Sequence, residues 1–159
     1  MALFAATNVA AQESVVETAT KFKFPASVSF DGHTLQATGA IPMSRGENAA
    51  ESPFVFAHYI EDVADLKAYN ARQTILASEK VRQISYGINR ASSNGRVSQW
   101  FGRFFTRFLG PDGAKKHSAS IAKLKTAVGG SFKAGDIVQF RALSTDDLLV
   151  VNGGKSTKI

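Results

Sequence analysis

Two runs near the end of the chain, Gly135-Asp136-Ile137-Val138-Gln139-Phe140 and Leu148-Leu149-Val150-Val151-Asn152-Gly153-Gly154-Lys155, decide the fold class. A Gly-Asp turn feeds an alternating run, the polar loop Ser144-Thr145-Asp146-Asp147 follows, and the second apolar run ends in Asn-Gly. Asn and Gly both accept the positive φ of a type I′ turn, so Asn152-Gly153 predicts a tight hairpin. The chain is expected to close as a β-meander: strand, loop, strand, turn, and a short strand through Ser156 to Ile159. That specifies an antiparallel sheet and leaves the chemistry open.

Outward from this meander the elements alternate in type. His117 to Val128 has Ile121, Leu124 and Val128 on one side and Lys123 and Lys125 on the other, the pattern of a helix. Before it, Arg96 to Leu109 places Val97, Trp100, Phe101, Phe104, Phe105 and Phe108 along one helical face, with Arg103 and Arg107 opposite. Ser92-Ser93-Asn94-Gly95 supplies the helix start and Gly110-Pro111-Asp112-Gly113 the stop. Val81 to Ile88 alternates, which predicts a strand with Gln83 and Ser85 on a wet face. Asp62 to Ser78 carries a partial helical pattern through Val63, Leu66, Tyr69, Ile75 and Leu76. Pro53 to Ile60 puts Phe54, Phe56 and His58 on one face and Val55, Ala57 and Tyr59 on the other, as an interior strand would. Pro42 to Ser52 has no period and reads as a loop. Lys21 to Phe30 and Thr34 to Ala40 form a first hairpin around Asp31-Gly32. The order of strands, helix, strand, helices and strands predicts an α+β fold: an antiparallel sheet with helices packed on one face.

Composition narrows the function. At 159 residues the chain is one domain. Twelve Phe against one Trp and three Tyr predict a core, or a cavity within it, that is very apolar. The net charge of +6 comes from dispersed Lys and Arg with no nucleic-acid-binding motif beside them, so no nucleic-acid partner is expected. With no cysteine there is no disulfide, thiolate metal site or cysteine nucleophile. His33, His58 and His117 lack metal-ligand spacing; neither a metal nor a cofactor is expected. No stretch approaches the length of a membrane span, so no stable membrane insertion is expected. Ala2-Leu3-Phe4-Ala5-Ala6 and Asn8-Val9-Ala10-Ala11-Gln12 read as the end of a secretory signal or as a flexible tail. Residues 1–18 are set aside on that ground and 19–159 taken as the domain, with export to the periplasm or medium as the expectation.

The two ends together resemble the chalcone isomerase-like family. The likeness rests on Phe24-Pro25-Ala26, on Phe30-Asp31-Gly32-His33-Thr34-Leu35-Gln36-Ala37-Thr38-Gly39-Ala40 and on Phe54 to Glu61. Lys133-Ala134-Gly135-Asp136, Asn152-Gly153-Gly154-Lys155 and Ile159 complete it. The stretch Ile41 to Ser52 is longer and more polar than the family's compact turn. The resemblance implies an open-faced β-sandwich whose helices lie over a large curved sheet, with a ligand cleft between them. It also implies a bacterial, exported, non-catalytic branch.

The enzymes of that family stabilise an oxyanion with an arginine after the glycine-alanine strand, and Arg45 stands nearest that place; a solvated loop arginine is the alternative. Where they carry a threonine this chain has Phe54, and their tyrosine and asparagine are replaced by Ser93 or Asn94 and Trp100 or Phe101. The expected function is therefore binding of a small apolar or amphipathic ligand, fatty acid or flavonoid-like, without catalysis. Phe54, Phe56, His58, Trp100, Phe101 and Phe104 are the expected ligand-binding residues, with Arg45 or His58 orienting a polar group. The alternatives are an intramolecular lyase using Arg45 and a protein-interaction module.

Overall fold

The computed structural model describes residues 13–44, 46–61, 81–92, 95–142 and 148–159. Arg45, Ser93, Asn94, the expected helix over 62–78 and the loop 144–147 lie outside the described residues. Nine strands occur among them. β1 (Ser14–Val16) and β2 (Lys23–Pro25) form a two-stranded sheet. β3 (Ser27–Phe30), β4 (His33–Pro42), β5 (Phe54–Ile60), β6 (Arg82–Ile88), β7 (Ile137–Ala142), β8 (Leu148–Asn152) and β9 (Lys155–Lys158) form an antiparallel sheet of seven strands in chain order. α1 (Arg96–Lys116) and α2 (Ser118–Ala127) connect β6 to β7 and cover one face. The α+β layout expected from the pattern is the one observed.

β5 lies inside the sheet because its residues are apolar in both directions. Phe54 packs toward α1 with Tyr86, Ile88, Val97 and Phe101. Val55, Ala57 and Tyr59 pack the other way against Phe22, Phe24 and Leu35. The second core is closed by the β1–β2 ribbon through Phe22 and Phe24. Among the described residues, Ser14–Val16 of the stretch 1–18 pairs with Lys23–Pro25. Gln83 and Ser85 are buried rather than wet: Gln83 Nε2 donates to Ser85 Oγ at 2.8 Å, and Arg141 Nε donates to Gln83 Oε1 at 2.9 Å. Polar side chains tolerate burial when their hydrogen bonds are met.

Glu17 holds the β1–β2 turn together. Its carboxylate accepts from the Ala19 and Thr20 N–H groups and from the Thr20 hydroxyl at 2.9, 2.7 and 2.6 Å. Burial alone would raise its pKa, but these bonds and the charge of Lys21 outweigh it and hold the carboxyl below its usual range.

The hairpin turns follow the glycines. Asp31 and Gly32 take φ of 51° and 79° between β3 and β4, as a type I′ turn demands. At the C-terminal hairpin Asn152 pairs with Lys155, so the turn is Gly153-Gly154 (φ 56° and 79°) rather than Asn152-Gly153. Asn152 is thereby released to donate from Nδ2 to the Ala127 carbonyl at 3.1 Å, tying β8 to the end of α2. Asp136 organises its own turn by accepting the Lys133 N–H at 2.7 Å.

Helix α1 starts at Gly95, whose φ of 82° ends the preceding chain without a side-chain cap. The expected stop at Gly110-Pro111 is a kink: Gly110 leaves helical geometry (φ 70°, ψ 175°), and the chain resumes helix through Lys116. Proline suits the first position of the new run because its missing N–H would have no partner there.

Candidate ligand-binding cleft

Alternation along the strands puts Phe56, Tyr86, Ile84 and Phe140 on the face beneath α1. Phe56 sits opposite Tyr86 across β5–β6, and Ile84 opposite Phe140 across β6–β7. From above, α1 lowers Trp100, Phe101, Phe104 and Phe105. The rings interlock: Phe56–Tyr86 at 4.9 Å edge-on, Tyr86–Phe101 at 5.0 Å, Phe101–Phe140 at 5.1 Å, and Trp100–Phe104 stacked at 5.3 Å. Between them remains an apolar cavity of about 300 Å³ walled by these residues and Leu148. A second hollow of about 250 Å³ lies beyond Phe105 and Leu148, toward Ile121, Leu124 and Ile159.

Four of the six expected binding residues, Phe56, Trp100, Phe101 and Phe104, meet at this cavity. Phe54 does not line it; it is buried in the core 6.2 Å from the Trp100 ring. His58 lies one step along β5 from Phe56 on the same face, opposite Ile84, and does not line the cavity either. Arg45 lies outside the described residues.

Ile84, Tyr86, Phe105, Phe140 and Leu148 line the cavity as well and are not among the six expected ligand-binding residues. For Ile84, Tyr86 and Phe140 the signal was present, since strand alternation places each on the face that the aromatic helix must cover.

Tyr86 is the chemically distinctive member. Its side chain is fully buried, and its hydroxyl has no hydrogen-bond partner among the described residues. Burial pushes its pKa far above the usual phenol value, so it stays a neutral donor throughout the physiological range. A buried polar group left unpaired costs about 1–3 kcal/mol.

His58 shows a related arrangement. Nδ1 lies 2.9 Å from the Thr38 hydroxyl, while Nε2 is buried without a partner among the described residues. Burial and then the charge of Arg82 lower its pKa below the ordinary imidazole value. The unfolded chain therefore takes up the proton first. The stability that His58 contributes is complete above pH about 6.5 and falls as the pH drops from there toward the lowered folded-state pKa. Thermal melts should show a lower Tm at pH 5 than at pH 7, and His58→Gln should flatten that part of the profile. An unchanged slope in the variant would remove His58 as its source.

No family model matches the sequence, and no curated protein matches it. Solved structures do. The crystal structure of the fatty-acid binding protein AtFAP1 from Arabidopsis thaliana superposes with a TM-score of 0.69 over 92% of this chain and 82% of that one, at 16% sequence identity. At that identity the likeness is one of fold: the chain has the chalcone isomerase-like fold of AtFAP1.

Proposed function

We propose that the cleft between the sheet and α1 binds a fatty acid of medium length and does no chemistry on it. The observation that carries this is a cavity with wholly apolar walls, one of them Tyr86, whose buried hydroxyl has no hydrogen-bond partner among the described residues. Such a site offers hydrophobic contact to a hydrocarbon body, and a polar end that reaches past the ring wall would find the Tyr86 hydroxyl. About 300 Å³ stands at the small end of the range for ligand pockets, roughly 300–1,000 Å³, which favours a medium chain over a long one. Each buried methylene contributes about 0.8 kcal/mol, so affinity comes mainly from the chain. Burial of the head group in apolar surroundings favours the protonated acid, with Tyr86 donating to its oxygen. The fold shared with a fatty-acid binding protein supports the same reading. Phe54, standing where the enzymes of the resemblance have a threonine, is packed into the core and offers no polar group to the cleft.

Native mass spectrometry of protein purified without detergent and mixed with dodecanoic acid tests this. One acid per chain is expected. Ile84 lines the cavity and is partly solvent-exposed, so Ile84→Trp should fill the space from the sheet side with little loss of stability. That variant should abolish the adduct. An adduct equally abundant in Ile84→Trp would place the ligand elsewhere and defeat the proposal.

A further inference from the structure

The whole net charge of the chain resides in its helical layer. Between Arg96 and Ala127 lie seven of the 19 Lys and Arg residues and one of the 13 Asp and Glu, so the remaining twelve and twelve cancel. All seven (Arg96, Arg103, Arg107, Lys115, Lys116, Lys123 and Lys125) are solvent-exposed, and none forms an ion pair among the described residues. Arg103, Arg107 and Lys125 border a groove of about 510 Å³ between the two helices.

The same layer exposes apolar surface. The aromatic stripe of α1 is buried at Val97 and Phe101 but emerges along the helix, leaving Phe104 46%, Phe108 76% and Leu109 36% exposed. A side chain such as Phe108 loses favourable burial in that position unless something covers it. The stripe is also continuous with the cleft. Trp100 stacks on Phe104 at 5.3 Å and Phe104 on Phe108 at 6.0 Å with a 7° interplanar angle, so one column of rings runs from the cavity wall to the surface. Arg103 and Arg107 each precede an exposed phenylalanine by one residue, a quarter-turn around the helix.

We propose that the α1–α2 layer docks on an anionic lipid bilayer. Phe104, Phe108 and Leu109 enter the acyl boundary, and the flanking arginines and lysines sit at the level of the lipid phosphates. Exposed aromatic residues beside a one-signed cationic face are the combination that holds a helix in a bilayer interface. An acidic protein would match the charge but gives no reason for bare phenylalanines at the rim of an apolar cavity. The binding is peripheral: no helix among the described residues is long and apolar enough to cross a membrane. Docking opens the ring column onto the acyl chains. That the column then passes a fatty acid to the cleft rests on the function proposed above; the docking does not.

Sedimentation with vesicles of equal parts phosphatidylglycerol and phosphatidylcholine, against vesicles of phosphatidylcholine alone, tests the proposal. The protein is expected to bind the anionic vesicles and to be released as salt rises. Phe108→Ser, a change at a largely exposed position, should weaken that binding about ten-fold. Arg103→Glu with Arg107→Glu should weaken it on the order of a hundred-fold at low salt. Ile84→Trp should still bind vesicles, which separates a failure of docking from a failure of the ligand reading. Absence of binding to anionic vesicles would overturn the proposal. So would binding that Phe108→Ser leaves unchanged, since the attraction would then be charge alone, as for any acidic partner.

Discussion

Tyr86→Phe is expected to stabilise the ligand-free protein while weakening its hold on a fatty acid. The ring contacts with Phe54, Phe56, Trp100 and Phe101 survive in phenylalanine, so packing is kept. What disappears is a buried hydroxyl with no partner among the described residues, a burden of about 1–3 kcal/mol. At roughly 2–4 °C per kcal/mol for a chain of this size, Tm should rise by several degrees. In the complex the same hydroxyl is paired and its removal brings no such gain, so binding weakens by at least that same amount, about 1–3 kcal/mol or roughly five- to 150-fold in affinity. Thermal melts and a titration of Trp100 fluorescence with dodecanoic acid measure the two effects. Opposite signs are the signature of a group kept for a ligand. A variant less stable than the parent would show that the hydroxyl serves the fold.

Gly87→Ala should act on the other face of the sheet and be strongly destabilising. A Cβ at Gly87 would stand 2.5 Å and 2.6 Å from two ring atoms of Phe22 and 2.8 Å from the Phe24 ring. These rings lie 4.7 Å apart and belong to the core that the β1–β2 ribbon closes, so neither can turn away freely. Replacing a glycine of extended φ ordinarily helps by about 0.4–1 kcal/mol, because the unfolded chain loses freedom. Overpacking costs about 1–3 kcal/mol or more and outweighs that gain. Denaturant unfolding should show a net loss of roughly 1–2 kcal/mol or more, with fatty-acid affinity nearly unchanged because the cleft lies across the sheet. Parental stability in the variant would mean that the ribbon yields, and that the second core is looser than its geometry suggests.

Local chemistry made much of the fold legible. Asp31-Gly32 announced its turn through residues that accept positive φ, and β5 announced an interior place by being apolar on both faces. The aromatic stripe of α1 declared that a helix covers the sheet. What stayed hidden depends on which distant segment covers a surface. Gln83 and Ser85 look like a wet face until Arg141 from the neighbouring strand β7 is seen to bond Gln83, which in turn bonds Ser85. Phe108 follows the period of the buried stripe yet stands in solvent, because periodicity states direction and not how far the sheet extends beneath the helix. Gly153-Gly154 captured the C-terminal turn from Asn152-Gly153 by a shift of one residue, the two dipeptides being nearly equivalent in φ preference. In the cleft, Phe56, Trp100, Phe101 and Phe104 follow from alternation and helical spacing. Tyr86 became distinctive only once its hydroxyl was seen to lack a partner, since a tyrosine in an alternating strand normally finds one.

The most direct measurement is a crystal structure of the protein with dodecanoic acid, read for density among Phe56, Ile84, Tyr86, Phe104 and Phe140. The account predicts one elongated density along these side chains, its polar end within hydrogen-bonding distance of the Tyr86 hydroxyl. A cavity still empty or closed over by its own phenylalanines at saturating acid, with Tyr86 unpaired, would contradict it.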